Sequence, residues 1–146
     1  MYKIYCLDLA DADRIVEAAT AVAHQQSARV SIAVVDASGV LLSFRRLDGA
    51  SVASVETSAA KARTAALTGG DSAAAEQAIS SGRLALLSLQ AVLHQPCALM
   101  AGGLVLRHQD SVVGAIGVSG MTPDQDAAVA RAGLEAFALK AQDYSS

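Results

Sequence analysis

The chain has 146 residues, 53% hydrophobic and 3% aromatic, with no tryptophan and a formal net charge of −3. That length suits one domain over residues 1–146, with a core built largely from small side chains. Its lysines and arginines are scattered rather than gathered into a basic stripe, which argues against nucleic acid as a partner. No apolar run reaches the roughly 18 residues of a membrane span. The opening MYKIYCLDLADAD turns acidic without an apolar stretch, so it does not read as a secretion signal, and the cytoplasm is the expected compartment. Cys6 and Cys97 have neither a CxxC spacing nor a paired histidine. Two reduced thiols are expected, not a zinc site.

In chain order, Asp8 is the predicted N-cap of a first helix. Leu9, Ala12, Ile15, Val16, Ala19, Val22 and Ala23 recur at helical spacing behind it, and the pattern fades near 26–28. "VSIAVVD" (30–36) and "VLLSFRRLD" (40–48) flank Ala37-Ser38-Gly39 and predict an antiparallel hairpin. In its second strand Val40, Leu42 and Phe44 fall on one face, Ser43 and Arg45 on the other. The helical period returns over 51–67. An apolar stripe of Val52, Val55, Ala59, Ala62 and Ala66 is expected to face the core, opposite a stripe of Ser54, Thr57, Lys61, Thr64 and Thr68. Gly69-Gly70 should end that helix, and Asp71 should cap a short successor.

A further helix over about 81–94 carries Leu84, Leu87 and Val92 and stops before Pro96. "CALMAGGLVLRHQ" (97–109) and "SVVGAIGVSG" (111–120) read as strands joined at 109–111, the first broken at Gly102-Gly103. Thr122-Pro123-Asp124-Gln125 is a well-formed helix start, followed by Ala127, Ala130, Leu134 and Phe137 as the buried face. Antiparallel strands joined by helical excursions predict an α+β fold with helices packed on the sheet.

Several constellations invite chemistry. Lys61 amid small hydroxyls suits either a carboxylate or phosphate ligand or a solvated helix face. Gly102-Gly103 suits either a bulge or a nest of backbone N–H donors. Gly114 and Gly117 interrupt an otherwise good strand, and interior glycine there implies that a helix or a ligand comes close to the backbone. Ala115, Gly117 and Ser119 share one small face. Ser119-Gly120 leads to a helix N-terminus, but Asp124 and Asp126 already satisfy its dipole, so Asp126 suits acid/base work or a ligand donor. His24, His94, His108, Met100 and Cys97 are each a candidate for a single haem-iron ligand, and no spacing chooses among them. Nucleophile elbow, P-loop and dinucleotide fingerprint are absent.

Taken together, "VSIAVVDASGVLLSFRRLDGASVASVETSAAKARTAALTG" and "VVGAIGVSGMTPDQDAAVARAG" resemble the GlcG/HbpS family, which includes the C-terminal domain of PduO-type cobalamin adenosyltransferases. The resemblance implies profilin-like α/β/α layers with an antiparallel sheet, assembly into homo-oligomers, and binding of haem or another tetrapyrrole. Haem degradation or iron handling belongs to some members. It also assigns a ligand pocket to Lys61 and Thr64 of the KARTA segment, to Gly102, Gly103, Gly114, Gly117, Ser119 and Gly120, and to Asp126. No histidine matches a family motif, so the iron ligand stays open.

The leading expectation is a tetrapyrrole-binding protein that assembles as a tetramer to octamer. A cofactor-independent enzyme acting on a small organic acid, with Lys61 and Asp126 as catalytic groups, is one rival. An assembly module with a vestigial pocket is the other.

Overall fold

A computed structural model of the chain describes residues 1–141. The Asp8 carboxylate accepts a hydrogen bond from the Asp11 N–H at 2.7 Å and so starts α1 (Leu9–Gln25). The face of α1 that meets the core carries Ala12, Ile15, Val16, Ala19 and Ala23, as the spacing requires. Strands β1 (Ser31–Asp36) and β2 (Leu41–Arg46) follow as an antiparallel hairpin. Its turn is closed by the Asp36 carboxylate, which accepts from the N–H groups of Ser38 and Val40.

Helix α2 (Val52–Thr68) is started by Ser51 and ended by Gly69 in the left-handed conformation, and α3 (Ser72–Ser80) comes after a short turn. Then come a single 3-10 turn (Leu84–Ser88) and the short α4 (Leu89–Leu93). Hairpin β3 (Gly103–His108) and β4 (Ser111–Ser119) leads into α5 (Pro123–Ala141). The start of α5 is a capping box. Thr122 Oγ1 accepts from the Gln125 N–H, and Gln125 Oε1 accepts from the Thr122 N–H at 3.1 Å.

The four strands form one antiparallel sheet in the order β2-β1-β4-β3. Helices α1 and α5 cover one face, over a core that includes Ile32, Val34, Leu106, Ile116 and Val118. Helix α2 covers the other, where Ala62, Ala65 and Ala66 meet Val35 and Ala115. The result is three layers, α/β/α.

Four local expectations are corrected. The predicted helix over 81–94 is broken: Gly82 adopts φ +98°, a region open to glycine, and only the 3-10 turn and α4 follow. The strand predicted over 97–109 begins at Gly103, because backbone groups ahead of it bond side chains instead of a neighbouring strand. Ala98 N–H donates to Thr64 Oγ1, Ala101 N–H donates to Glu76, and Met100 C=O accepts from Ser72.

Asp71 does not cap α3; its carboxylate accepts from the Val105 N–H at 3.0 Å. In β2 a register shift sets Val35 opposite Leu41 while Val34 stays opposite Ser43. Leu42 therefore packs on the same core as Val34, and simple alternation fails there.

The largest correction concerns α2. Ser54, Ser58, Lys61 and Thr64 are buried, whereas Val52, at the head of the expected core stripe, is 76% exposed. Ala62 and Ala66 remain inside. Size rather than polarity sets the orientation, because α2 lies directly against the backbone of β4. A Cβ at Gly117 would overlap the Ser58 carbonyl oxygen and lie 2.5 Å from the Ala62 nitrogen. The buried hydroxyls are satisfied locally. Ser58 and Thr64 donate to the carbonyls of Val55 and Ala60, and Ser54 shares a 2.8 Å hydrogen bond with Ser31.

Candidate functional site

Lys61 is the largest fully buried side chain of the described residues, 1% exposed. Its ammonium donates to Asp126 Oδ2 at 2.9 Å and to the Val118 carbonyl at 3.1 Å. Asp126 Oδ1 accepts from the Met121 N–H at 2.9 Å, so the carboxylate is held from both sides. A charge this deep is tolerated only when paired and hydrogen-bonded. The solvated-face alternative for Lys61 is thus ruled out in favour of a clasp joining α2, the end of β4 and the first turn of α5. Neither residue lines any of the three cavities described below.

Two glycines of the expected pocket, Gly102 and Gly103, adjoin this clasp. Gly102 has φ +118°, and a Cβ on it would stand 2.9 Å from Lys61 Nζ. A Cβ at Gly103 would overlap the Lys61 carbonyl, and the Gly103 N–H donates to Ser72 Oγ at 2.8 Å. That donor is therefore already committed to protein. Side chains at Gly114 and Gly120 would overlap the carbonyl oxygens of Val35 and Arg29. Ser119 is buried and pairs with Ser31 across the sheet. Thr64, also buried, accepts from Ala98 N–H and so holds the segment ahead of β3. The structure brings Lys61, Gly102, Gly103 and Asp126 together, while Gly114 lies toward the opposite end of β4.

Among the described residues, cavities open on the surface at three places. A cleft of about 380 Å³ is lined by Tyr5, Cys6, Leu7, His108, Val113 and Phe137, with Lys3 beside them. A groove of about 570 Å³ lies between α2, the 3-10 turn and the segment holding Cys97 and Met100. A third, of about 680 Å³, runs between α3 and the start of α5, past Glu76, Thr122 and Asp124. Of the candidate iron ligands, His24 and His94 are exposed on the surface and line none of these cavities. Cys97 and Met100 line the groove, and the Cys97 thiol lies 3.6 Å from the Gln95 carbonyl.

His108 lines the cleft, 9% exposed, with its ring edge-on to Tyr5 at 4.5 Å between centroids. Tyr5, Cys6 and Lys3 were not singled out from the sequence; no spacing connects residues at the N-terminus to a hairpin a hundred positions on. Among the described residues no group of three His, Cys, Asp or Glu side chains has the geometry to hold a metal ion.

This is a three-layer α/β/α domain whose antiparallel sheet carries a helix at backbone contact on one face and a lysine–aspartate clasp at one end. The family described as "Haem degrading protein HbpS-like" matches residues 7–135, and the chain belongs to that GlcG/HbpS family. An uncharacterized 15.0 kDa protein from the dhaT-dhaS intergenic region of Citrobacter freundii is 33% identical over 135 residues, 92% of this chain and 94% of its own length. Protein GlcG of Escherichia coli (strain K12) is 34% identical over 108 residues, 74% of this chain and 77% of its own. Among solved structures, a PduOC:haem complex superposes with a TM-score of 0.82 at 26% identity, covering 90% of this chain and 95% of that one.

Proposed function

We propose that this protein binds haem or a closely related tetrapyrrole, as a homo-oligomer in the cytoplasm. The observation that carries the reading is the likeness, over nearly the full length of both chains, to a relative solved as a haem complex. The described residues fit such a ligand. Both the 380 Å³ cleft and the 570 Å³ groove fall in the size range of small-molecule sites, about 300–1,000 Å³. They are lined by imidazole, phenol, thiol and thioether groups, the side-chain types that hold haem iron. Haem, when bound, would supply an iron that one of these side chains could hold. The chain's part is to clasp the macrocycle on apolar side chains and to offer one of these donors.

The clasp of Lys61 and Asp126, with Gly102, Gly103, Gly117, Ser119, Gly120 and Thr64, enters this proposal as the frame of the site. Its charges are engaged with one another, so their role is to fix α2, β4 and α5. Gly114 has the same role at the far end of the strand.

Titration of the purified protein with haemin tests the reading. A saturable Soret shift at fixed stoichiometry is expected, and a linear, unsaturable change overturns it. Incubating the same complex with a reductant and oxygen tests for haem degradation, the activity in the family's name, through decay of the Soret band.

A further inference from the structure

We infer that β2 pairs with β2 of a second copy, antiparallel about a two-fold axis at Phe44, so that one sheet runs through both chains. This rests on the homo-oligomer reading above and names a contact and a register that it leaves open.

The two edges of the sheet are finished differently. In the order β2-β1-β4-β3 the outer strands are β3 and β2. The Gly102 carbonyl accepts from the Val118 N–H, so the alternation of an antiparallel ladder turns the backbone of Gly103 and Val105 away from β4. Both outward donors are taken. The Gly103 N–H goes to Ser72 Oγ at 2.8 Å and the Val105 N–H to the Asp71 carboxylate at 3.0 Å. The start of α3 thus closes that edge.

On β2 the Leu47 N–H donates to the Val30 carbonyl, and the same alternation turns the backbone of Phe44 and Arg46 away from β1. Among the described residues no strand and no side chain bonds those groups. An edge left open in this way is a template for another strand. The register shift in β2 lies toward the turn, between Ser43 and Leu41, so Ser43–Arg46 stays regular. Val40 and Leu41, 59% and 48% exposed, add apolar surface at the same edge.

Charge selects the occupant and the register. Two-fold pairing centred on Arg45 or on Arg46 sets two guanidinium groups directly opposite each other, which destabilises a sheet. Centred on Phe44, it sets Arg45 opposite Ser43 of the second copy in a non-hydrogen-bonded pair, where side chains come closest. Ser43 donates to Asp13 Oδ1 at 2.7 Å, so Arg45 there meets a hydroxyl and a carboxylate. Arg45 already donates to Glu17 and Thr20 in its own chain, and its guanidinium has further N–H groups to give. The two-fold makes this contact twice. Such pairing closes at a dimer, so a larger assembly needs a further contact elsewhere on the chain.

Sedimentation of the parent, Phe44→Pro and Ser43→Arg tests the pairing, with circular dichroism as the control for fold. Phe44→Pro removes an outward N–H that the ladder to β1 does not use. Ser43→Arg sets a second guanidinium opposite Arg45. Each should reduce the parent's mass to half or less with the helical signal kept; if the proline variant unfolds, Ser43→Arg carries the comparison. In a Cys6→Ser/Cys97→Ser background, oxidised Phe44→Cys should cross-link two chains, since paired Cα atoms about 5.5 Å apart suit a disulfide. Arg46→Cys, which falls opposite Leu42, should cross-link far less. Parent mass in a folded Ser43→Arg overturns the pairing and leaves the homo-oligomer reading standing, as does a Phe44→Cys protein that cross-links no more than Arg46→Cys. A monomeric parent overturns both.

Discussion

The Lys61 ammonium lies 2.9 Å from Asp126 Oδ2 with both side chains 2% exposed, so two helices on opposite sides of the sheet are joined by one buried ion pair. The Val118 carbonyl and the Met121 N–H complete the shell. Gly102 leaves just enough room for the lysine to pass. The sequence feature that most resembles a ligand site thereby ties α2, β4 and α5 together, with Gly102 and Gly103 packed against its lysine.

Removing one partner should be costly. Lys61→Ala strands a carboxylate without its cation in a dry site, which costs about 3–5 kcal/mol. Lys61→Met combined with Asp126→Leu removes both charges and should recover most of that loss. Urea denaturation of both variants beside the parent checks this. Single and double variants of equal stability would show that the two charges are not coupled.

Local signals were legible in the sequence and non-local ones were not. The Asp8 cap, the Thr122–Gln125 box and the turn at Gly39 each depend on residues within four positions, and all formed as read. The orientation of α2 depends instead on how close β4 lets it come. Periodicity ranks side chains by polarity, whereas Gly117 selects them by size, so periodicity sets Val52 inside and Ser54 outside, the reverse of what the fold shows. Lys61 and Asp126 were each singled out, but their pairing needs the folded sheet between them. The contact of Tyr5 with His108 joins the N-terminal segment to the β3–β4 hairpin and leaves no periodic trace.

A surface pair gives a pH dependence with a definite sign. Arg45 donates to Glu17 at 2.8 Å, linking β2 to α1. That hydrogen bond, and then the guanidinium's charge, hold the Glu17 carboxyl below its ordinary range. A carboxylate with a lowered folded pKa stabilises the fold above its unfolded pKa, and the contribution is lost as pH falls through the folded value. The parent should therefore exceed Glu17→Gln in stability at neutral pH, and the gap should close through the acid range. Both are exposed to solvent and screened by salt, so the gap is small and shrinks at high ionic strength. A gap that widens on acidification would contradict the assignment.

Assembly should run through the segment after α3. Leu84, Leu87 and Val92 are 63%, 61% and 69% exposed on the 3-10 turn and α4. A cluster of large apolar side chains left in water marks a contact surface, here with further copies of the chain. Sedimentation at micromolar concentration should give a closed homo-oligomer between tetramer and octamer. Leu87→Asp should shift it toward monomer while keeping the helical circular dichroism. A monomeric parent would refute the assembly itself. An oligomer unchanged by Leu87→Asp would move the contact elsewhere.

The two glycines Gly117 and Gly70 should respond to the same substitution in opposite ways. At Gly117 a methyl group has nowhere to go. It would overlap the Ser58 carbonyl and stand 2.5 Å from the Ala62 nitrogen, and both are backbone atoms of α2 that cannot rotate aside. Relief requires lifting the helix from the sheet, which also strains the Lys61 clasp one turn further on. Overpacking of this kind costs about 1–3 kcal/mol even when side chains can yield, so Gly117→Ala should fall at or above the upper end. At Gly70 nothing stands within 4 Å of the added carbon and the backbone is not in the left-handed region. Gly70→Ala should change stability by no more than about 0.5 kcal/mol. Thermal unfolding of the two variants beside the parent checks both. Equal stability of Gly117→Ala and the parent would mean that α2 does not lie against the backbone of β4, and the account of the inverted helix face would fail with it.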